Sequence, residues 1–159
     1  MPLIRAIQKA DNVTLAKTIR MVLIEMGVPK VGTAYADEAL DCMFETYTTS
    51  NSEYFIIEED QQILGGAGIA PLSNYKGPVC ELQKMYFLSS LRGKGYGMKM
   101  MQQCLDFAKE AGYEQVYLET MPYMEAAQKL YIKAGFKYID APLGNTGHCA
   151  CPIYMLKDL

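Results

Sequence analysis

A run of strand-forming residues, Leu82 to Leu88, gives way to a helix-forming run, Met98 to Ala111, across the turn Arg92-Gly93-Lys94-Gly95-Tyr96-Gly97. Three glycines and two cations in this turn narrow what it can be. Glycine lets the backbone come close to a ligand, and the unpaired amides of a helix start carry partial positive charge. A strand that feeds a helix through such a turn builds an anion site, suited to a phosphate or pyrophosphate.

The hydrophobic pattern around this unit predicts the remaining elements. Leu3 to Ile7 reads as a short strand. Leu15, Ile19, Val22, Leu23 and Met26 mark a helix that begins near Asp11. A second helix is expected over 37–47, with Leu40, Met43, Phe44 and Tyr47 on one face. Tyr54 to Ile57 and Ile63 to Ala70 read as strands about the turn Glu58 to Gln62, and Val79 to Leu88 as a third. Beyond the long helix come a strand at Gln115 to Glu119, a helix at Glu125 to Ala134, and closing strands at Phe136 to Ile139 and Cys151 to Leu156. The order β-α-α-β-β-β-α-β-α-β-β is an antiparallel meander followed by βαβ units, a mixed α/β class. At 159 residues the chain is expected to form one domain, residues 1–159.

A net charge of −3 gives no electrostatic case for nucleic acid. No apolar run is long enough to span a bilayer, and Met1 to Lys9 meets charge too soon for a signal peptide. Five cysteines, odd in number and without C-x-x-C spacing, suit a reducing, cytoplasmic setting. His148 with Cys149 and Cys151 is too few and too crowded for a closed metal site, so no metal is expected.

Nucleotide fingerprints fail. G-x-G-x-x-G/A would need a small residue where Met98 follows Gly93 and Gly95, and no G-x-x-x-x-G-K-[ST] string exists. What remains is R-x-x-G-x-G at Arg92, Gly95 and Gly97, between strand and helix. Glu81 to Phe87 precedes it, and Ala127-Gln128-Lys129-Leu130-Tyr131 with Gly135-Phe136 follows. Together these resemble the coenzyme A signature, fourth strand and A-x-x-L-Y-x-x-x-G-F segment of the GNAT superfamily of N-acetyltransferases. The resemblance is specific over roughly residues 80–136 and looser at Ile4-Arg5-Ala6 and the helix after it. Met124 departs from the family, where many relatives carry an Asn that helps hold the pantetheine.

The resemblance implies a single GNAT-like domain with a central mixed, mostly antiparallel sheet flanked by helices, using acetyl-CoA as acyl donor. It implies that amides of Arg92, Gly93, Lys94, Gly95, Tyr96 and Gly97 wrap the pyrophosphate. Main-chain groups of Met85, Tyr86 and Phe87 would pair with the pantetheine amides, which mimic a peptide. Tyr131 falls at the family's usual general acid; a phenol near 10 can protonate a thiolate whose reference value is near 8.5. With twelve tyrosines in the chain, a packing role is the competing reading.

Glu81 matches a glutamate that serves as base in several relatives, with Glu119 a weaker rival. A carboxylate needs burial to act as base at neutral pH. Cys80 has no His or Asp grouped with it as an acyl-accepting nucleophile, so the amine is expected to attack the thioester directly in a ternary complex. The acceptor is a primary amine, with a small molecule favoured. Its cleft would come from Val28 to Tyr35, the 71–78 loop and the 141–148 segment. A module that binds acyl-CoA without transferring the acyl group stays open as the alternative, as do monomer and homodimer.

Overall fold

The computed structural model describes residues 1–31, 34–147 and 152–159. The elements run β1 (Leu3–Ala6), α1 (Asn12–Glu25), α2 (Met43–Thr46), β2 (Glu53–Glu59), β3 (Gln62–Pro71), β4 (Val79–Phe87), α3 (Tyr96–Glu110), β5 (Gln115–Thr120), α4 (Glu125–Lys133), β6 (Lys137–Ile139) and β7 (Ile153–Asp158). Their order is the one the hydrophobic pattern predicts.

One sheet contains all seven strands in the order β1-β2-β3-β4-β5-β7-β6. Among the described residues every pairing is antiparallel except β4 with β5. Alternation along β2 assigns its two faces to two cores. Tyr54 and Ile56 join Leu15, Ile19 and Leu23 of α1, while Phe55 and Ile57 join Met101, Cys104 and Leu105 of α3. The sheet is therefore a middle layer, with α1 and α2 on one face and α3 and α4 on the other.

The β2-β3 turn needs only Asp60 and Gln61, both left-handed (φ 50° and 64°), the geometry of a tight hairpin. Both strands consequently extend further into the expected turn than periodicity alone suggests. The second helix is the main departure. Glu38–Cys42 forms a 3₁₀ turn, and only Met43–Thr46 is α-helical. Asp37 caps the start of the turn, accepting from the Ala39 amide at 2.9 Å, while Asn12 accepts at 2.9 Å from the Phe44 amide, a backbone group that a continuous helix would use. Cys42 breaks the helical path (φ −139°, ψ 50°), yet Leu40, Met43 and Tyr47 still reach the core.

β3 is thin where it must be. A Cβ on Gly66 would lie 2.5 Å from the Tyr54 ring and 2.6 Å from the Phe55 carbonyl oxygen. The missing side chain lets the Tyr54 ring lie on the strand, and its hydroxyl donates to the Lys84 carbonyl at 2.8 Å. That contact fixes the part of β4 on which the site is built.

Candidate active site

β4 and β5 pair at Val79–Gln115, Cys80–Val116 and Glu81–Tyr117, and then separate. β4 continues to Phe87 and β5 to Thr120 with no further pairing between them. The cause lies in β4 itself. Opposite β3, Gly66 pairs with Tyr86 and Gly68 with Gln83, so Lys84 and Met85 together face Ala67. This bulge holds Lys84 at φ 50°, a conformation uncommon for a residue with a side chain. The strand bends away from β5, and a fork opens in which no ladder pairing joins the two edges.

A groove of about 330 Å³ occupies the fork on the α3–α4 side. Met85, Tyr86 and Phe87 line it, with Arg92, Gly93, Gly95 and Gly97 at the far end and Ala127, Leu130 and Tyr131 along the α4 wall. Among the described residues no side chain caps α3. Its N-cap, Gly95, is left-handed (φ 82°), and the first bond back is from the Lys99 amide to the Gly95 carbonyl at 3.3 Å. A Cβ on Gly93 or Gly95 would meet nothing within 4 Å, so the space over this turn is open to a ligand. The amides at the start of α3 and its dipole face that space with partial positive charge.

The structure divides the six turn residues by task. Arg92 braces the turn: its guanidinium donates to the Phe87 carbonyl at 3.1 Å, and its own amide is taken by Ser89 at 3.1 Å. Gly97 serves packing, since a Cβ there would sit 3.0 Å from Leu130. Lys94 and Tyr96 line a neighbouring cavity of about 340 Å³ with Glu59 and Gln62 rather than this groove. Lys133, in the last turn of α4, lines the groove instead and is a cation that sequence reasoning missed. The helical spacing from Ala126 and Leu130 is the signal that would have found it.

Deeper in the fork, a cavity of about 50 Å³ shares Met85, Tyr86, Ala127 and Tyr131 with the groove. Tyr131 is 7% exposed, its ring edge-on to Phe136 at 6.0 Å. Burial pushes its hydroxyl up to about 12. Glu81, 3% exposed, stands at the last paired position before the strands part, and accepts from the Gln83 amide at 2.6 Å. Gln83 in turn accepts from the Tyr47 hydroxyl. Glu119 lies on the cavity wall itself.

The sequence and the fold both have counterparts among known proteins. The sequence model of the acetyltransferase (GNAT) family matches residues 22–136. The chain belongs to the GNAT family. It is 39% identical over 159 residues to the uncharacterized N-acetyltransferase YjgM of Escherichia coli K12, covering 99% of this chain and 95% of that one. Among solved structures, a GNAT acetyltransferase of Staphylococcus aureus Mu50 superposes with a TM-score of 0.88 at 21% identity, covering 100% of this chain and 99% of its own. The putative acetyltransferase yncA of Salmonella typhimurium, solved with acetyl-CoA, does so with a TM-score of 0.79 at 17% identity, covering 100% and 94%. The protein is an acyl-CoA-dependent N-acyltransferase of the GNAT type, with the mixed, mostly antiparallel sheet that the resemblance implies.

Against that family background, Met124 caps no amide of α4 with its side chain. It is 7% exposed, its sulfur accepts from the Thr120 hydroxyl at 3.6 Å, and it lines the inner cavity. An apolar wall stands where many GNAT relatives offer an amide.

The three segments expected to form an acceptor cleft contribute unequally. Val28 lines the inner cavity. Pro142, Gly144, Asn145, Thr146 and Gly147 line a further cavity of about 160 Å³, which Glu119 joins to the inner one. The 71–78 loop braces that wall, with the Ser73 carbonyl accepting from the Asn145 amide at 2.9 Å. Glu119 accepts from Tyr117 at 2.6 Å and from Thr146 through its other oxygen. Burial, the hydrogen bond to Glu119 and the charges of Glu119 and Glu81 push the Tyr117 hydroxyl up, against a smaller opposing effect of the Leu143 backbone.

His148, Cys149 and Cys151 lie outside the described residues. Among the described residues no three His, Cys, Asp or Glu side chains group as metal ligands. No helix among them is long and apolar enough to cross a membrane.

Proposed function

We propose that the chain, as a single 1–159 domain, transfers an acetyl group from acetyl-CoA to a primary amine of a small molecule by direct attack in a ternary complex. The observation that carries this is the fork. Past Glu81 the β4 edge parts from β5 and leads from the deep cavity to an open helix start, which suits a pantetheine arm ending in a pyrophosphate. The carbonyl carbon gains the bond to nitrogen and loses the bond to sulfur. The ammonium gives up one proton before attack, and the nitrogen loses a second as the amide forms. The departing thiolate receives a hydrogen bond or proton from Tyr131, whose hydroxyl is restored by that second proton through solvent, so one proton is released overall.

Glu81 is the proposed proton acceptor, directly or through water. It has the burial that a carboxylate base requires and is held by Gln83. Glu119 faces the cavity, but each of its oxygens already serves a hydroxyl, which suits it better to holding the acceptor. Direct attack is favoured over an acyl-enzyme because burial pushes the Cys80 thiol up to about 12, leaving it protonated and unreactive. The presence of Tyr131 on the fork favours transfer over the binding-only alternative.

The test is ligand-induced stabilisation. At a hundredfold excess over Kd, a ligand bound only by the folded state adds about 2.7 kcal/mol, roughly 5–10 °C in Tm for a domain of this size. Coenzyme A and acetyl-CoA should give such a shift, and NAD and ATP much less. Gly95→Val places a side chain in the open space over the turn and costs about 1–2 kcal/mol of its own through the left-handed backbone. The coenzyme-induced shift measured on the variant is therefore the readout, and it should vanish. A full shift in the folded variant refutes the groove as the coenzyme site.

A further inference from the structure

The inner cavity of the fork carries charges of opposite sign on facing strands. Lys84 comes from β4 and Glu119 from β5. Much of the remaining wall is apolar, with Met26, Val28, Met121 and Met124 among its residues. Resting on the acetyl-transfer reading, we propose that the acceptor is amphoteric: an α-amino-acid-like molecule whose carboxylate is bound by Lys84 and whose ammonium faces Glu119.

The position of Lys84 is unusual in three ways that point together. Its side chain is 4% exposed, a depth at which lysine is rarely found unless paired, and its ion-pair partner Asp37 is itself partly open to solvent. Its backbone is left-handed at φ 50°, and conformations of that kind persist where the surroundings hold them, often at ligand sites. The bulge also turns two successive side chains to one face of the sheet. Gln83 meets Tyr47, and Lys84 meets Asp37, on the α1–α2 side opposite the coenzyme groove. An acceptor entering from that side reaches the thioester through the fork and passes Lys84 on the way.

Asp37 does not exhaust this cation. The carboxylate lies 3.1 Å from Nζ, and it also caps the Ala39 amide at the edge of the 3₁₀ turn. An ammonium has three donors, so one held by Asp37 leaves two for a ligand. Filling the space alone would be done at lower cost by an apolar side chain, because a buried ion pair rarely outperforms well-packed apolar groups. A buried cation beside a cavity is better explained by an anion that enters it. The same charge disfavours polyamines and lysine side chains, which would bring a second cation or an uncharged tether to Lys84.

The experiment compares kcat/KM for apolar L-amino acids and for their carboxamides, with acetyl-CoA saturating. Each pair keeps the α-amine and the side chain and differs at the carboxylate. The wild-type protein should favour the acids by at least tenfold. In the double variant Lys84→Met with Asp37→Asn, which leaves no uncompensated carboxylate, the preference should shrink to threefold or less, mainly through a higher KM for the acids. Stabilisation by acetyl-CoA in that variant confirms that fold and donor groove are intact.

Carboxamides that equal or exceed the acids in the wild type overturn the proposal, whether or not the variant folds. So does a preference that survives in the folded variant, or a panel in which no member is acetylated although acetyl-CoA still stabilises the protein. A wild-type protein that acetyl-CoA does not stabilise refutes the donor reading itself, a separate failure.

Discussion

Replacing Tyr131 with Phe removes one hydroxyl and little else. The ring keeps its edge-on contact with Phe136 at 6.0 Å, so stability should change by less than about 1 kcal/mol. The catalytic cost follows from the environment of the hydroxyl. Burial holds it up to about 12, whereas a free thiolate has a reference value near 8.5. Complete proton transfer from so weak an acid is uphill unless burial raises the thiolate's affinity for the proton to match. Tyr131 is therefore expected to act chiefly as a charge-assisted hydrogen-bond donor while the carbon–sulfur bond breaks. Such a bond is worth about 1.5–3 kcal/mol, which converts to a loss of about 10- to 150-fold in kcat.

The assay for Tyr131→Phe is thiol release at saturating acetyl-CoA and acceptor, with the protein's own five cysteines subtracted. Coenzyme-induced stabilisation should match the wild type. Because the hydroxyl stays protonated well past pH 10, the wild-type rate should show no decline due to this group up to that pH. A kcat within threefold of wild type refutes the role. A wild-type decline near pH 9–10 that is absent from the variant refutes the elevated hydroxyl.

Glu81→Gln should lower kcat/KM most near neutral pH and regain activity as the acceptor becomes free amine at higher pH; a change confined to KM would make Glu81 a binding group. Gly66→Ala should lower stability by about 1–3 kcal/mol, read as a fall in Tm, because the new methyl meets the Phe55 carbonyl as well as the Tyr54 ring. At low pH the Arg5–Asp11 pair, with contacts at 2.8 and 3.0 Å, should release its contribution. Burial raises Asp11, but Arg5 and the Gln8 amide outweigh it, so its folded value lies below 3.8. The stabilisation is thus complete above the unfolded value and lost as pH falls through the folded one. Asp11→Asn should lower Tm at pH 7 and converge with wild type in acid, and parallel curves would refute the assignment.

What the sequence reveals and conceals here has a physical pattern. α1, α3 and α4 bury one stripe each, so Leu15 and Ile19, or Met101 and Cys104, announce their helices. The turn before α3 is legible because Gly93 and Gly95 must be glycine to keep their backbone geometry and the open space above. The β4 bulge has no such marker. Lys84 takes a left-handed backbone without glycine, held by Tyr54 and Asp37, residues far away in sequence. The 37–47 segment has helical spacing at Leu40, Met43, Phe44 and Tyr47, yet Asn12 from α1 captures the Phe44 amide that would continue the helix. Helical spacing groups Lys133 with Ala126 and Leu130, but only the docking of α4 turns that face to the groove while Lys94 lines the neighbouring cavity.

The bulge also constrains the chemistry. Leu82 and Met85 pack toward α3 and α4, while Gln83 and Lys84 bond toward α2 and the 3₁₀ turn before it. Tyr131 belongs to the first side, and Glu81, linked through Gln83 to Tyr47, to the second. A thioester lying in the fork would have the acid on one face of the sheet and the carboxylate on the other. In an attack on a trigonal carbonyl, the nucleophile arrives from one side while the sulfur leaves from another, so the two proton movements occur in different places. One group shuttling between them would have to cross the sheet. Two fixed groups on opposite faces need no such movement, so Glu81→Gln should change the profile near neutral pH, whereas Tyr131→Phe should lower the rate without reshaping the profile below pH 10.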